Sequence, residues 1–512
     1  MRITNKIIQN NSLTNINKNK VLEDKLNTQI TTKKKINRPS DDPVVAIRAL
    51  RLRTNLSNIN QYYEKNVPDA KSWMSVTEDA INTVTQVVTD VYHNCTRGAQ
   101  GSLTASDRLK VLESMKGLRE GVYATGDADY AGRYVFTGYR TDSSLMFTSD
   151  TTQNYRITEQ LSSKDVLDFT NVDIADLGGL TQSNAASLTA NEQAISTNQV
   201  HRIRLSYEEC SSTAVPSITY YDTTATLQTI TPAVVSVYDM PTPYLSANWP
   251  VDPMTGTPPS AVFIAETGEI ILNDTTYNAL QNTIDDVATP EKEGKISVTY
   301  EKDTWKKGDI KPEHYFACTS GTTSYNADLL TDSTLDDTNQ AIYYDVGFSQ
   351  KIQVNTLAKD VFKHSIGREI DELIEMTESV IKMESSVKTL QEMSEADPTN
   401  TAITTRLQAA QKAYEMLKEK MQKGFEKGIS STQGYLDQAN LALTNMGTRA
   451  SKLELIENRL LSQQTNFETL QSENEDIDIA EAALQLSSVQ LSYDAALMAT
   501  AKIAQTTLLN YL

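Results

Sequence analysis

The sequence predicts an α+β, multidomain chain: a long antiparallel helical coiled-coil rod formed by the N- and C-terminal arms, with a β-rich outer insert between them. Three observations carry this. At 512 residues the chain exceeds the roughly 250–300 residues over which a single hydrophobic core keeps growing. Residues 1 to about 130 and 357–512 are rich in Leu, Ile, Ala, Gln, Lys and Glu, whereas 140–355 hold most of the Pro with many Thr, Asp and Tyr. Apolar residues recur at heptad spacing in both arms and alternate with polar ones in the middle.

In the N-terminal arm, the stretch from Asn37 to Pro43 (NRPSDDP) interrupts the first helical segment. Pro39 disfavours the α region at Arg38, Ser40, Asp41 and Asp42 are N-cap types, and Pro43 suits a first helical turn, so a helix restarts there. Leu56, Tyr63, Val67, Ala70, Met74, Ile81, Val84, Val88, Val91 and Cys95 then form a heptad seam broken by Thr77. One helix over residues 44–97 would be roughly 80 Å long, with Pro68 expected to kink it or end its first half. A second helix is predicted from Ser106 to about Thr125.

The C-terminal arm predicts a helix from about Lys359 to Met393, a turn at Ala396–Asn400 and more helix to about Lys423. Gly424, Gly428 and Gly434 predict a loop before a terminal helix. In that helix Leu453, Leu460 and Phe467 fall seven apart, and a second register runs through Ile456, Leu470, Ile477, Leu484, Leu491 and Met498. Tyr493, Leu497, Ile503 and Leu508 widen this stripe beyond what one neighbour covers. In the insert, Ile296, Val298 and Tyr300, and Ile342 to Val354, alternate as half-buried strands. Ala261–Leu272 reads as a hairpin turning near Thr267-Gly268, followed by a short helix within residues 273–287.

Composition and spacing exclude several functions. With 47 Lys plus Arg against 66 Asp plus Glu, the formal charge of -19 repels phosphate backbones and anionic lipids. This argues against nucleic acid or a membrane surface as main partner, and no run approaches the ~18 apolar residues of a membrane span, so no membrane insertion is expected. Three dispersed cysteines, Cys95, Cys210 and Cys318, form neither a disulfide framework nor a metal motif. The four histidines lack metal-ligand spacing, and no GxSxG, P-loop or dinucleotide fingerprint occurs, so no catalytic, cofactor-binding or metal site is expected and the chain is read as not an enzyme. Lys33, Lys34 and Lys35 are read as complementing a helix dipole. Residues 1–20 have no apolar h-region, so no cleaved signal peptide is expected.

Met1–Asn5 (MRITN), Lys34–Pro43 (KKINRPSDDP), Ser72-Trp73, Gly132–Gly138 (GRYVFTG) with Thr141, Tyr343–Thr356 and the ending Ala501–Leu512 resemble the flagellin superfamily. Within it, the stretch GRYVFTGY resembles the hook-filament junction group, known as hook-associated protein 3. Lys33 stands where that group commonly has Gly, which puts a left-handed helix cap there in question. The resemblance implies a non-enzymatic structural adaptor of bacterial motility, secreted through the flagellar type III export apparatus and located on the extracellular flagellum. It implies a homo-oligomer, as a ring or helical layer, whose partners are hook-associated protein 1, flagellin and a flagellar export chaperone. Filament flagellin is the alternative; a secreted adhesin or enzyme carried on the insert is a distant one.

Mapped on this resemblance, residues 1–42 are an assembly and export segment of the inner layer and 43–139 the N-terminal rod. Residues 140–356 are the outer domain, 357–474 the C-terminal rod and 475–512 an inner-layer helix. The subunit-assembly interface is expected at Ile477, Leu484, Leu491, Tyr493, Leu497, Met498, Ile503 and Leu508, with terminal helices that order only when neighbours bury them. Gly132, Arg133, Tyr134, Phe136 and Gly138 are expected to form either an ordinary core hairpin or a dedicated joint between rod and outer domain.

Overall fold

A computed structural model of the chain describes residues 5–101, 103–236, 244–245, 248–251, 257–283, 295–326 and 340–505. The chain forms two compact units. The first comprises Met1–Ala70, Tyr344–Ile352 and Ser451–Leu512, and the second Lys71–Tyr343 and Gln353–Ala450. Long helices drawn from both ends and a β-rich middle give an α+β architecture.

The N-terminal arm supplies α1 (Asn5–Thr32), α2 (Pro43–Gln61), α3 (Val67–Gly98) and α4 (Ala105–Gly121). Asp42 caps α2 by accepting hydrogen bonds from the Val44 and Val45 amides, and Pro43 takes the first helical position, where no amide is needed. The helix expected over 44–97 is present but not uniform. A π-helical turn, Tyr62–Asn66, precedes Pro68, and the Val67 amide donates to the Tyr62 carbonyl across it. This wider turn is how the backbone accommodates a proline that cannot donate. Thr77, which interrupts the apolar seam, is fully buried in it because its hydroxyl donates to the Trp73 carbonyl, 2.9 Å away.

The middle of the chain begins with a minimal hairpin, β1 (Asp129–Tyr130) and β2 (Arg133–Tyr134). It continues through β3 (Thr151–Ser162), β4 (Val166–Asp173), β5 (Ser196–Arg204), β6 (Ser217–Tyr221), β7 (Leu227–Ile230), β8 (Ala233–Val235), β9 (Ala261–Ile264) and β10 (Glu269–Leu272). After α5 (Asp274–Gln281) come β11 (Lys295–Trp305), β12 (Ala317–Ser320), β13 (Thr323–Tyr325), β14 (Tyr343–Gly347) and β15 (Gln350–Gln353). One sheet has the order β4-β5-β10-β9-β8 and another β13-β12-β3-β11-β6-β7. They share one core, in which Ile203, Phe263 and Ile270 meet Ile157, Ile218, Ile296 and Tyr300. Ile296, Val298 and Tyr300 point to that core from one face of β11, the period-two pattern of a half-buried strand. Strands β9 and β10 are buried on both faces, because Val262, Ile264 and Ile271 pack in a second cluster with Val200 and Trp249. Their turn sits at Gly268, where φ is +62° and a Cβ would fall 1.9 Å from the Tyr207 carbonyl oxygen, so only glycine fits.

The chain closes with α6 (Ala358–Val361), α7 (Ser365–Ala396), α8 (Thr401–Glu475) and α9 (Ile479–Gln505). The expected loop at Gly424, Gly428 and Gly434 is absent: α8 runs through all three. In the second unit, two of these glycines serve close helix packing instead. A Cβ on Gly428 would lie 3.1 Å from the Cys95 sulfur of α3 and 3.2 Å from Leu373 of α7, and one on Gly424 would meet the Met376 sulfur. A glycine tolerated within a helix for packing has the same sequence signature as a breaker. The terminal helix, read as continuous from Leu453, is divided at Asp476–Asp478.

Cys95, Cys210 and Cys318 are buried free thiols, each pushed up to about 12 by burial. Among the described residues no cluster of metal-ligating side chains occurs, and no helix is long and apolar enough to cross a membrane. The role of Gly428 makes a prediction. Gly428→Leu forces bulk between three packed helices and should destabilise the second unit by about 1–3 kcal/mol or more, read as a lower midpoint in denaturant.

Candidate assembly surface

The first unit is organised by two breaks in its helices that face each other. The α1 helix ends at Lys33, which adopts φ +58°. A left-handed cap therefore forms without the expected glycine. The Lys33 carbonyl accepts from the Ile477 amide at 3.1 Å, and the Lys35 amide donates to the Glu475 carbonyl at 2.7 Å. These two bonds tie the α1–α2 connection to the α8–α9 connection. They satisfy backbone groups that helix ends leave unpaired.

Side chains reinforce the tie. The Glu475 carboxylate, 2% exposed, accepts two hydrogen bonds from the Arg53 guanidinium, at 2.7 and 2.6 Å. Lys34 lies 3.4 Å from Glu475 and 2.5 Å from Asp476, and Ser472 donates to Asp476. The lysine run is thus not merely a dipole complement: Lys34 joins an ion network across the breaks. Burial would raise the Glu475 carboxyl, but hydrogen bonds and charge from Arg53 and Lys34 overcome it and hold the group below its ordinary value. The hydrogen bond from Lys34, helped by Ser472, likewise lowers Asp476, and that to Asp476 raises Lys34.

On the α2 side of the break, Asp41 accepts from the Asn37 and Arg38 amides and Asp42 caps the helix, while Ser40 is exposed in the turn. Asp478 caps α9 through the Ala480 and Glu481 amides. Neither Glu475 nor Arg53 was singled out in the sequence, because partners 422 positions apart leave no local signal. The pair Asp478 and Glu481 did carry one, the spacing of a helix start.

From this tie α1 and α9 run antiparallel, with Gln490 of α9 donating to Glu23 of α1. Gln9, Ser12, Ile16, Asn19, Glu23, Leu26 and Ile30 form the inner heptad row of α1, of which only Ile16 and Leu26 are buried apolar residues. The matching row on α9 is Ala482, Leu486, Val489, Tyr493 and Ala496. The proposed interface residues therefore separate. Tyr493 turns inward and Ile477 is half-buried in the break, whereas Leu484, Leu491 and Met498 are 73, 72 and 71% exposed in one row, with Leu497 also exposed. The side chain of Ile503, and Leu508 entirely, lie outside the described residues. Ile7, Leu13, Val21 and Leu22 of α1 are exposed as well, as are Val44, Ile47 and Leu50 of α2.

In the second unit, Gly132 and Gly138 both have positive φ, +76° and +63°. Between them Val135 and Phe136 are both buried, so the stretch does not alternate as a strand edge. The Phe136 ring meets Phe362 edge-on at 5.3 Å, and its carbonyl accepts from the Ala358 amide at 2.9 Å. The segment entering the insert is thereby fastened to the helix that leaves it. Arg133 lies 4.8 Å over the Trp73 ring, and the Tyr134 amide donates to Thr141.

Both ends of the chain match known regions. The bacterial flagellin N-terminal helical region matches residues 3–141 and the C-terminal helical region matches 431–512. The chain is thus similar at both ends to the terminal helical regions of bacterial flagellin, and between them it carries a β-rich insertion. It is also similar to flagellar hook-associated protein 3 of Salmonella typhimurium and of Escherichia coli. Each is 26% identical over 144 residues, 28% of this chain and 45% of the relative. The chain thus spans about half the length of the curated relatives it matches. Among solved structures, a putative flagellar hook-associated protein from Vibrio parahaemolyticus has a TM-score of 0.37 at 12% identity, covering 85% of this chain and 100% of its own. Xanthomonas campestris FlgL has a TM-score of 0.30 at 10% identity, covering 82% of this chain and 98% of its own.

Two predictions rest on the tie. Lys33→Gly removes the strain of a left-handed Lys and should raise stability by up to about 1 kcal/mol, measured by denaturant unfolding. The depressed carboxyls stabilise the tie above the ordinary carboxylate range and stop doing so as pH falls through their lowered values; the raised Lys34 holds until strongly alkaline pH. Amide exchange in α1 and α9 should accelerate below about pH 4, and Glu475→Gln should show the faster exchange already at neutral pH.

Proposed function

We propose that this chain is a structural subunit that joins the flagellar hook zone to the filament and assembles through its terminal helices. The observation that supports this most is the uncovered apolar row Leu484, Leu491 and Met498, on a helix whose partner α1 offers a largely polar seam. A two-helix pair with only a few buried apolar contacts is marginal in water, so its ordering is coupled to burial by neighbouring copies. Each Leu so buried contributes roughly 1.5–3 kcal/mol, which summed over many rows offsets the chain entropy lost.

In this reading copies of the chain form a ring or helical layer, with hook-associated protein 1 on one side and flagellin on the other. The chain reaches that place on the extracellular flagellum by type III export, held beforehand by an export chaperone. Phe136 and its glycine-flanked segment act as the joint that carries the insert. The role in this reading is mechanical.

Leu491→Asp should abolish incorporation into flagella while leaving export and the second unit intact, and immunogold labelling of wild-type cells should mark a short zone between hook and filament. Label along the whole filament would instead identify a filament flagellin. An incorporated Leu491→Asp chain, or protected amides over residues 479–505 in the isolated monomer, would overturn assembly-coupled ordering.

A further inference from the structure

In the second unit a cavity of about 340 Å³ opens between strands β4 and β5 and helices α7 and α8. Its walls combine apolar groups, Phe169, Leu373, Met376 and Met416, with an unequal set of charges. The Arg202 guanidinium lies 3.9 Å over the Phe169 ring and the Lys420 ammonium 4.3 Å from the same ring. Arg202 is 3% exposed and pairs with Glu269 and Glu372, each at 2.6 Å, and Glu372 also pairs with Arg204. Lys420 makes no close ion pair among the described residues; Glu372, Glu269 and Glu375 favour its charge from a distance, and its near contact is the face of the Phe169 ring. The half-buried Lys420 ammonium is therefore the donor that this cavity offers to a ligand.

We propose that this cavity binds a small amphipathic carboxylate with an aromatic body, its carboxylate accepting from Lys420 and its rings lying against Phe169, Leu373, Met376 and Met416. A monoanion fits better than a phosphate. Glu369, Glu372 and Glu375 on α7, Glu269 on β10, Glu419 on α8 and Asp168 on β4 surround the site. Only part of that negative charge is neutralised by Arg202, Arg204, Lys423 and Lys427, so a doubly charged ligand would be repelled. The cavity's size suits two fused rings, and its wall chemistry is that of small-molecule sites generally.

Binding should be linked to protonation. Burial brings the Lys420 ammonium down to about 8, and a bound carboxylate favours its charged form. Affinity is then greatest below that value and falls as pH rises through it.

Calorimetry on the full-length chain tests this with naphthoate and the neutral naphthyl methanol as probes. Naphthoate should bind saturably at one site, at least about tenfold tighter than the alcohol near pH 7, with the advantage shrinking about tenfold by pH 9 to 10. Lys420→Met should erase the preference and Lys420→Arg should keep it, both with melting temperatures near wild type. Equal affinity for the two probes, absence of saturable binding, or a preference that persists in Lys420→Met would each overturn the proposal.

Discussion

The Glu475 carboxylate is the constraint on which the first unit depends, because it is nearly inaccessible to water and is satisfied only when α2 and the end of α8 are in one register. Arg53 grips it through two parallel hydrogen bonds, a geometry that fixes orientation as well as distance. Lys34 reaches the same carboxylate from the far side of the α1 break, and the backbone bonds at Lys33 and Lys35 follow. A shift of one helical turn in either partner would leave a buried charge unpaired, an outcome far costlier than the pair's own net contribution. Register is thus set by a charge that cannot be left alone, in a region where apolar packing is too sparse to set it.

The second unit solves the same problem by close packing. Gly428 lets α8 approach Cys95 and Leu373, and Thr77 closes the apolar seam by returning its hydroxyl to its own helix. That packing gives way to charge between the α7–α8 pair and the sheet edge at β4 and β5, where Arg202 pairs with Glu269 and Glu372, and Arg204 with Glu372. The cavity lined by Phe169 and Lys420 lies beside this network.

Local chemistry was legible in the sequence. Asp42 and Pro43 announced a helix start that the structure places at Pro43, and the alternation of Ile296, Val298 and Tyr300 marked a strand with one buried face. Residue types whose meaning depends on a distant partner were not legible. Gly424 and Gly428 read as breakers because sequence does not show the helices that press on them. The wide apolar stripe around residues 477–508 read as one surface, yet Tyr493 belongs to the inner row with α1 while Leu484, Leu491 and Met498 face outward. A stripe broader than one seam holds two faces, and only the partner's position divides them. Glu475 was invisible for the same reason, since its significance lies in Arg53 and Lys34.

The three free cysteines have a further consequence. Each thiol is enclosed, and burial above all pushes the three up to about 12, so almost none is thiolate at neutral pH and none is open to a reagent. Unfolding removes both protections together. Because Cys95 lies on α3, Cys210 beside the shared core of the two sheets and Cys318 on β12, the second unit carries its own distributed record of folding, in which alkylation distinguishes a folded subunit from an unfolded chain without any added label.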